Sequence, residues 1–592
     1  MFLPFSRLSR TKKAVLITCG LFFVLLLGLS IGYLSEHVFS ENGKFQSFTR
    51  ELFRSEAKGN TLTLHYTLAE PKKLGISPEK ATLGRLETDP GKTAAQYEAY
   101  EKQLKSFDAT RLSRENQVIL DTLLLYFHNQ NSVRELFFLG EPLGPSLGIQ
   151  AQLPILLAEY AFYDEGDISE YLQLLTDIRP YFQSILDYER EKAQKGWFMN
   201  DQALEGILSQ CGAFIQKPEE NYMLEIFEQK LKDFPGLSAK DKAALNAAHR
   251  KLLFHEVIPA YQILMEGLSA LRGSGNNPGG LAGFSGGQEY YAYLIRDQGL
   301  CDAVPVLRER LAKQLMEDSR AISAMQKEQP SLFAKLSDGT RKLTVDKPED
   351  IMEQLQKSMK QDFPALPHVP YEIRCVHPSL EDFLSPAFYL TPPMDRGDPN
   401  VIYLNPAGTP AGLELFTTLG HEGFPGHLYQ TVFFCRQKAD PIRSLFSASG
   451  YVEGWATYAE SFVYDYAASF LPDESARDLA RLAWLNRSVN LCLYSLMDIG
   501  IHYQGWSQSQ AAVFLNTFGI RDAAAAGEIY QYIVEAPANY LKYYCGYLSF
   551  LDLRRSQEAA QGEHFDQKAF HESILKLGPV PFPVLKKYLP VF

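Results

Sequence analysis

Residues 417–427 read Thr-Thr-Leu-Gly-His-Glu-Gly-Phe-Pro-Gly-His, so two imidazoles, His421 and His427, flank a carboxylate, Glu422. In the tighter arrangement His-Glu-x-x-His, histidines four apart share one helix face and bind zinc while the glutamate activates water. Here the histidines are six apart, a rotation of about 600°, which sets the rings on nearly opposite sides of a continuous helix. Gly423, Pro425 and Gly426 are the residue types that interrupt a helix. A two-residue bulge at Phe424-Pro425 would return His427 to the face of His421. The unusual spacing and the helix breakers occur together, and the pair reads as a metal site.

A third ligand is expected downstream. Tyr451-Val452-Glu453-Gly454-Trp455-Ala456-Thr457-Tyr458-Ala459-Glu460 has helical character, and Glu453 and Glu460, seven apart, share a face with small Ala456 between them. Two imidazoles and one carboxylate, with one position left for water, form a known catalytic zinc set. Glu453 is the expected ligand and Glu460 the expected partner of a ligand histidine. The competing reading is a pair of carboxylates on a solvated helix face. Hydrolysis at such a centre also needs a donor for the developing oxyanion, and the candidates are His502 and Tyr543. Each has a plain alternative, a core or capping histidine and a buried tyrosine. Arg554 or Arg555 could bind a terminal carboxylate or simply face solvent.

These residues need a scaffold, and most of it reads as helix. Apolar residues recur at helical spacing over 42–56, 92–130, 166–195, 219–233, 238–270 and 303–327. Strand signals are few: Tyr371–Val376 and Val401–Leu404. The latter precedes His421 and is expected to be an edge strand that pairs with an extended peptide. A Pro-rich stretch, 364–410, separates a helical part, 34–363, from a part, 364–592, that holds the chemistry; the two are expected to interleave in one catalytic domain. The fold class is mainly α. With 592 residues, 46% hydrophobic and 12% aromatic, the chain is globular rather than disordered. Its net charge of −12 argues against a nucleic-acid partner.

The N-terminus sets the compartment. Arg7, Arg10, Lys12 and Lys13 lie in a basic flank, 1–13, before the uncharged apolar run Ala14–Tyr33. A helix of that length spans about 30 Å, a bilayer's hydrocarbon thickness. The flank stays in the cytoplasm and the body lies outside, on a single-pass signal anchor. A cleaved signal peptide, giving a secreted protein, is the alternative. Cys19 follows Thr18 inside the run, which makes a poor lipoprotein site. The other cysteines, at 211, 301, 375, 435, 492 and 545, form no Cys-x-x-Cys pair; outside the cytoplasm they could form disulfides, but the plainer expectation is small buried hydrophobes.

The chain resembles the bacterial family known as domain of unknown function 885. The resemblance rests on His421–His427 with Glu453-Gly454-Trp455-Ala456, and more weakly on Asn60–Leu68, Asp498–His502, Gly505-Trp506-Ser507 and Phe570-His571. It departs at Leu428, where many members carry a histidine, and at Pro537-Ala538-Asn539-Tyr540, where relatives have Pro-Gly-Gln-Ala. That family in turn is similar to helical gluzincins of the carboxypeptidase Taq and angiotensin-converting enzyme groups. The resemblance implies a two-lobed helical canyon fold with zinc at its floor, a small β element nearby, and cleavage of short peptides; a late His and Tyr in those relatives match the roles given to His502 and Tyr543. The expected function is a zinc metallopeptidase, with Zn²⁺ on His421, His427 and Glu453 and Glu422 as general base, acting on an oligopeptide. The rivals are a zinc hydrolase of another amide or ester and a catalytically silent surface-binding protein.

Overall fold

The structure is a computed structural model that describes residues 40–589, apart from 78, 276, 278, 338–341, 379, 380, 382, 383 and 409. The expected anchor, Ala14–Tyr33, lies outside the described residues, as does Cys19. No helix among the described residues is long and apolar enough to cross a membrane.

The fold is mainly helical. Most of the periodic segments form helices, with breaks where local hydrogen bonding favours them. The segment 92–130 divides into Pro90–Lys105 and Arg114–Asn131 because Ser113 caps a new helix, its side chain accepting from the Asn116 N–H. The segment 166–195 forms α1 (Glu165–Gln194), opened by a reciprocal cap between Asp164 and Asp167. Residues 303–327 form α2 (Val304–Glu328).

Three strands form one small sheet: β1 (Glu372–Cys375), β2 (Ala387–Leu390) and β3 (Val401–Leu404). Their order is β1-β3-β2, with β1 parallel and β2 antiparallel to β3. This corrects the expectation for Val401–Leu404. It is the central strand, buried along its length and paired on both sides, so it has no free edge to offer a peptide. The free edge of interest belongs to β2, which sequence reading passed over because proline at 386, 392 and 393 hides so short a strand.

After the sheet come α3 (Leu413–Glu422), α4 (His427–Cys435), α5 (Ser449–Ala467), α6 (Ala476–His502) and α7 (Asn539–Gln561). The largest core crosses the proposed boundary at 364: Tyr291 and Leu311 lie in it with Trp455 and Tyr544. A second core, around Phe182, Leu204 and Tyr261, belongs to the N-terminal helices. Each fully buried Leu or Phe stabilises the fold by about 1.5–3 kcal/mol relative to exposure. α5 and α7 approach backbone to backbone, because a Cβ on Gly454 would stand 2.5 Å from the Gly546 carbonyl carbon. A polar chain fixes their neighbours: Ser488 of α6 donates to Asp318 of α2 (2.7 Å) and lies 2.6 Å from the Tyr544 hydroxyl. The six cysteines of the described residues are unpaired; Cys211, Cys492 and Cys545 are buried, whereas Cys301 and Cys375 are exposed, which corrects the expectation that all are buried.

Candidate metal centre

The segment between His421 and His427 is a break rather than a bulge. α3 ends at Glu422 and a new helix, α4, starts at His427, with Gly423–Gly426 between them. The Gly426 N–H donates to the Gly420 carbonyl (3.0 Å) and folds the chain back on α3. A Cβ at Gly426 would lie 1.8 Å from the His421 carbonyl oxygen, so only glycine fits there. Trp455 of α5 donates its indole N–H to the Pro425 carbonyl (3.0 Å) and ties the break to the helix that carries Glu453. The two imidazole rings meet edge to face, 4.8 Å between centroids at 88°.

His421, His427 and Glu453 offer three ligand atoms within 4.8 Å of one another. Glu453 Oε2 lies 3.3 Å from His427 Nε2 and 3.8 Å from His421 Nε2. Ligands about 2.1 Å from a tetrahedral zinc stand about 3.4 Å apart, so the two Glu453 separations suit that ion and the widest pair must close by about 1.4 Å. The electrostatics point the same way. Burial opposes charge on His421, but Glu453 and Glu460 outweigh it and push the imidazole up to about 10. Burial likewise raises the Glu453 carboxyl, yet its hydrogen bonds to the two histidines, with Lys542, hold it well below the ordinary range. The pocket therefore stabilises positive charge between these groups.

Glu460 lies against the far nitrogen of His421 (Nδ1 to Oε2, 3.3 Å), which turns Nε2 toward Glu453. Arg487 of α6 donates to the other Glu460 oxygen (3.0 Å). Glu422 accepts from the backbone N–H of Tyr389 in β2 (2.9 Å), which fixes one carboxylate oxygen at the sheet edge. Tyr543 lies with its ring 6.5 Å from that of His421, at 28°. Burial, then the neighbouring Glu453, raises its phenol, so the hydroxyl remains a donor at neutral pH. Glu422, His421, Tyr543 and Arg487 all line one cavity of about 400 Å³.

The structure does not bring His502 to this cluster. Its Nδ1 accepts from the Leu281 N–H (3.1 Å), and its Nε2 donates to the Ile533 carbonyl (2.7 Å). Burial holds the ring down to about 4, and neither nitrogen is left to meet an oxyanion. The oxyanion role expected of His502 is therefore withdrawn. Arg554 is likewise engaged, by Glu558 at 2.7 Å. Sequence reading missed Arg487, Lys542 and the Tyr389 N–H. Lys542 had a usable signal, since it directly precedes Tyr543 and its Nζ lies 3.7 Å from Glu453 Oε1. Arg487 and Tyr389 had none, because only the fold brings them to residues 27 and 33 positions away.

The model of a family described as bacterial protein of unknown function (DUF885) matches residues 72–589. The chain belongs to the DUF885 family. No curated protein matches its sequence. The fold of this DUF885 protein is similar to that of a candidate lipoprotein from Colwellia psychrerythraea, with 19% identity and a TM-score of 0.79 over 93% of this chain and 98% of that one. It is also similar to a candidate lipoprotein of unknown function from Shewanella oneidensis, with 18% identity and a TM-score of 0.56 over 85% and 92% of the two chains. At such identities the likeness is one of fold.

Proposed function

We propose that this DUF885 protein is a zinc metallopeptidase that hydrolyses oligopeptides outside the cytoplasm, in a zincin-like canyon. The observation that carries the reading is the convergence of His421, His427 and Glu453 beside Glu422, a carboxylate outside the ligand set that a purely structural zinc site does not need. His421, His427 and Glu453 would hold the ion, which when bound lowers the pKa of a water toward about 7 and polarises a carbonyl. Glu422 takes the proton of the attacking water and delivers it to the leaving amine. Tyr543 donates its hydroxyl to the oxyanion as charge develops there. Glu460 and Arg487 keep the His421 ring turned toward the centre. Glu422 holds the Tyr389 N–H, and the outer edge of β2 offers its remaining backbone groups, at Ala387 and Thr391, to an extended peptide on either side.

The basic flank and apolar run at the N-terminus, together with the lipoprotein description of the fold neighbours, favour a membrane-anchored body facing outward. The test is hydrolysis of a mixed peptide library by the purified protein with zinc, with and without chelator. Cleavage that chelation abolishes and zinc restores supports the reading. Intact peptides in the presence of zinc would leave the ester hydrolase or the silent binding protein in its place.

A further inference from the structure

The edge strand joins two cavities. In an antiparallel pair, alternate residues turn their backbone groups toward the partner. The Pro386 carbonyl accepts from the Asn405 N–H on the β3 side (2.9 Å), so Ala387, Tyr389 and Thr391 face the free edge. The Tyr389 N–H on Glu422 agrees with this parity. Ala387 lies in the wall of the cavity that holds Glu422. Thr391 lies in the wall of a second, larger cavity of about 1000 Å³. That cavity reaches Val452, the residue before Glu453, and Gln430, three residues after His427.

Its charges do not balance. Lys73 pairs with Glu70, and Arg396 with Asp398. The Asp395 carboxylate accepts from the Ala69 and Glu70 N–H groups (2.8 and 2.9 Å). Against that one carboxylate stand Arg436, Lys438 and Arg443, an excess of two positive charges. The two guanidinium groups donate to backbone carbonyls, Arg436 to His368 (3.4 Å) and Arg443 to Leu577 (2.6 Å), rather than to carboxylates. Asp440, close in sequence to Arg443, is taken by Thr49 and the Ile442 N–H.

Two residues of this wall, Gln430 and Arg443, also carry donors, Nε2 and Nε, that are buried behind it with no acceptor. Both orphans are donors, and the excess charge is positive. An anionic oxygen ligand answers the excess charge.

We infer that this cavity receives carboxylate side chains of the substrate, so that peptides with Asp or Glu on the amino side of the cleaved bond are preferred. The inference rests on the peptidase reading above. Its direction follows from β2: a peptide pairing antiparallel to the strand runs from Thr391 toward Ala387, which places its amino-side residues over the cationic cavity.

The test uses the zinc-loaded full chain and quenched peptides identical except for Glu, Gln or Lys at each of three amino-side positions. The expected result is about a tenfold higher kcat/KM for Glu than for Gln, less for Lys, and a smaller spread in high salt. Arg436 and Lys438 are exposed, so the double variant R436E/K438E should fold and prefer Lys over Glu. Equal rates for the three peptides in the wild type, or an order that the double variant leaves unchanged, overturn the inference. Binding of labelled Glu and Lys peptides, read by fluorescence anisotropy, separates the two claims. If nothing is cut but Glu peptides bind about tenfold tighter and R436E/K438E reverses that order, the peptidase reading fails and the anionic subsite stands. If neither cutting nor binding favours Glu, the subsite is wrong.

Discussion

His421 and His502 both sit in the last turn of a helix, α3 and α6, and both are largely or wholly buried, yet their surroundings set them apart. Around His421 the partners are carboxylates, and the ring is pushed up to about 10 despite burial. Around His502 they are backbone groups of Leu281 and Ile533, and burial brings the ring down to about 4. One environment is built for a cation and the other for a neutral ring that ties three segments together. A buried histidine is thus assigned by what its two nitrogens meet, and sequence position alone does not report that.

The comparison predicts opposite phenotypes. Glu422→Gln should retain zinc and thermal stability while losing roughly 10²–10⁴-fold in kcat, since an amide cannot accept the water proton. Steady-state kinetics beside a melting curve checks both halves, and near wild-type turnover would remove Glu422 from the reaction. Tyr543→Phe should lower kcat by a factor on the order of 10²–10³ with KM little changed, because the lost hydroxyl acts on the transition state. Full kcat in that variant would make Tyr543 a packing residue.

His502→Ala should do the reverse. It leaves the Leu281 N–H without an acceptor, at about 1–3 kcal/mol, and the Ile533 carbonyl with the Ala536 N–H alone, and should lower the denaturation midpoint while the folded protein keeps its kcat. His502→Gln, able to donate and accept, should recover part of the stability. A loss of kcat in a fully folded His502 variant would bring that residue back to the reaction.

The region around His502 also contains a titration that the candidate metal centre does not share. Asp498 accepts from Tyr291 (2.7 Å) and from the Ala538 N–H (2.9 Å), yet burial outweighs these bonds and lifts its carboxyl from 3.8 to about 7. Below pH 4 both folded and unfolded chains hold the proton, and Asp498 adds no pH dependence. Between about pH 4 and 7 the unfolded chain gives up its proton and the folded one keeps it, so stability falls as pH rises, by up to about 4 kcal/mol at about 1.4 kcal/mol per pKa unit. Asp498→Asn should flatten that part of the stability–pH curve, measured by chemical denaturation. An unchanged slope would contradict the assignment.

What the sequence made legible was local. Helical periodicity located most helices, and the breakers between His421 and His427 announced that the chain must turn there, although the turn is a full break in which Gly426 sits against the His421 carbonyl. Glu453 and Glu460 were readable because seven residues of helix place them on one face. The failures involved long-range packing. Val401–Leu404 looks like any short apolar strand, and only its pairing with both neighbours shows that it is central. The His502 environment depends on Leu281, more than 200 positions away.

Zinc stoichiometry tests the central claim most directly. Elemental analysis of the purified, zinc-reconstituted and dialysed chain should give close to one zinc per molecule. The His427→Ala and Glu453→Ala variants, verified as folded by circular dichroism, should lose it, while His502→Gln should retain it. Zinc absent from the wild type, or retained undiminished by folded His427→Ala and Glu453→Ala, would contradict the metal centre on which the proposed chemistry depends.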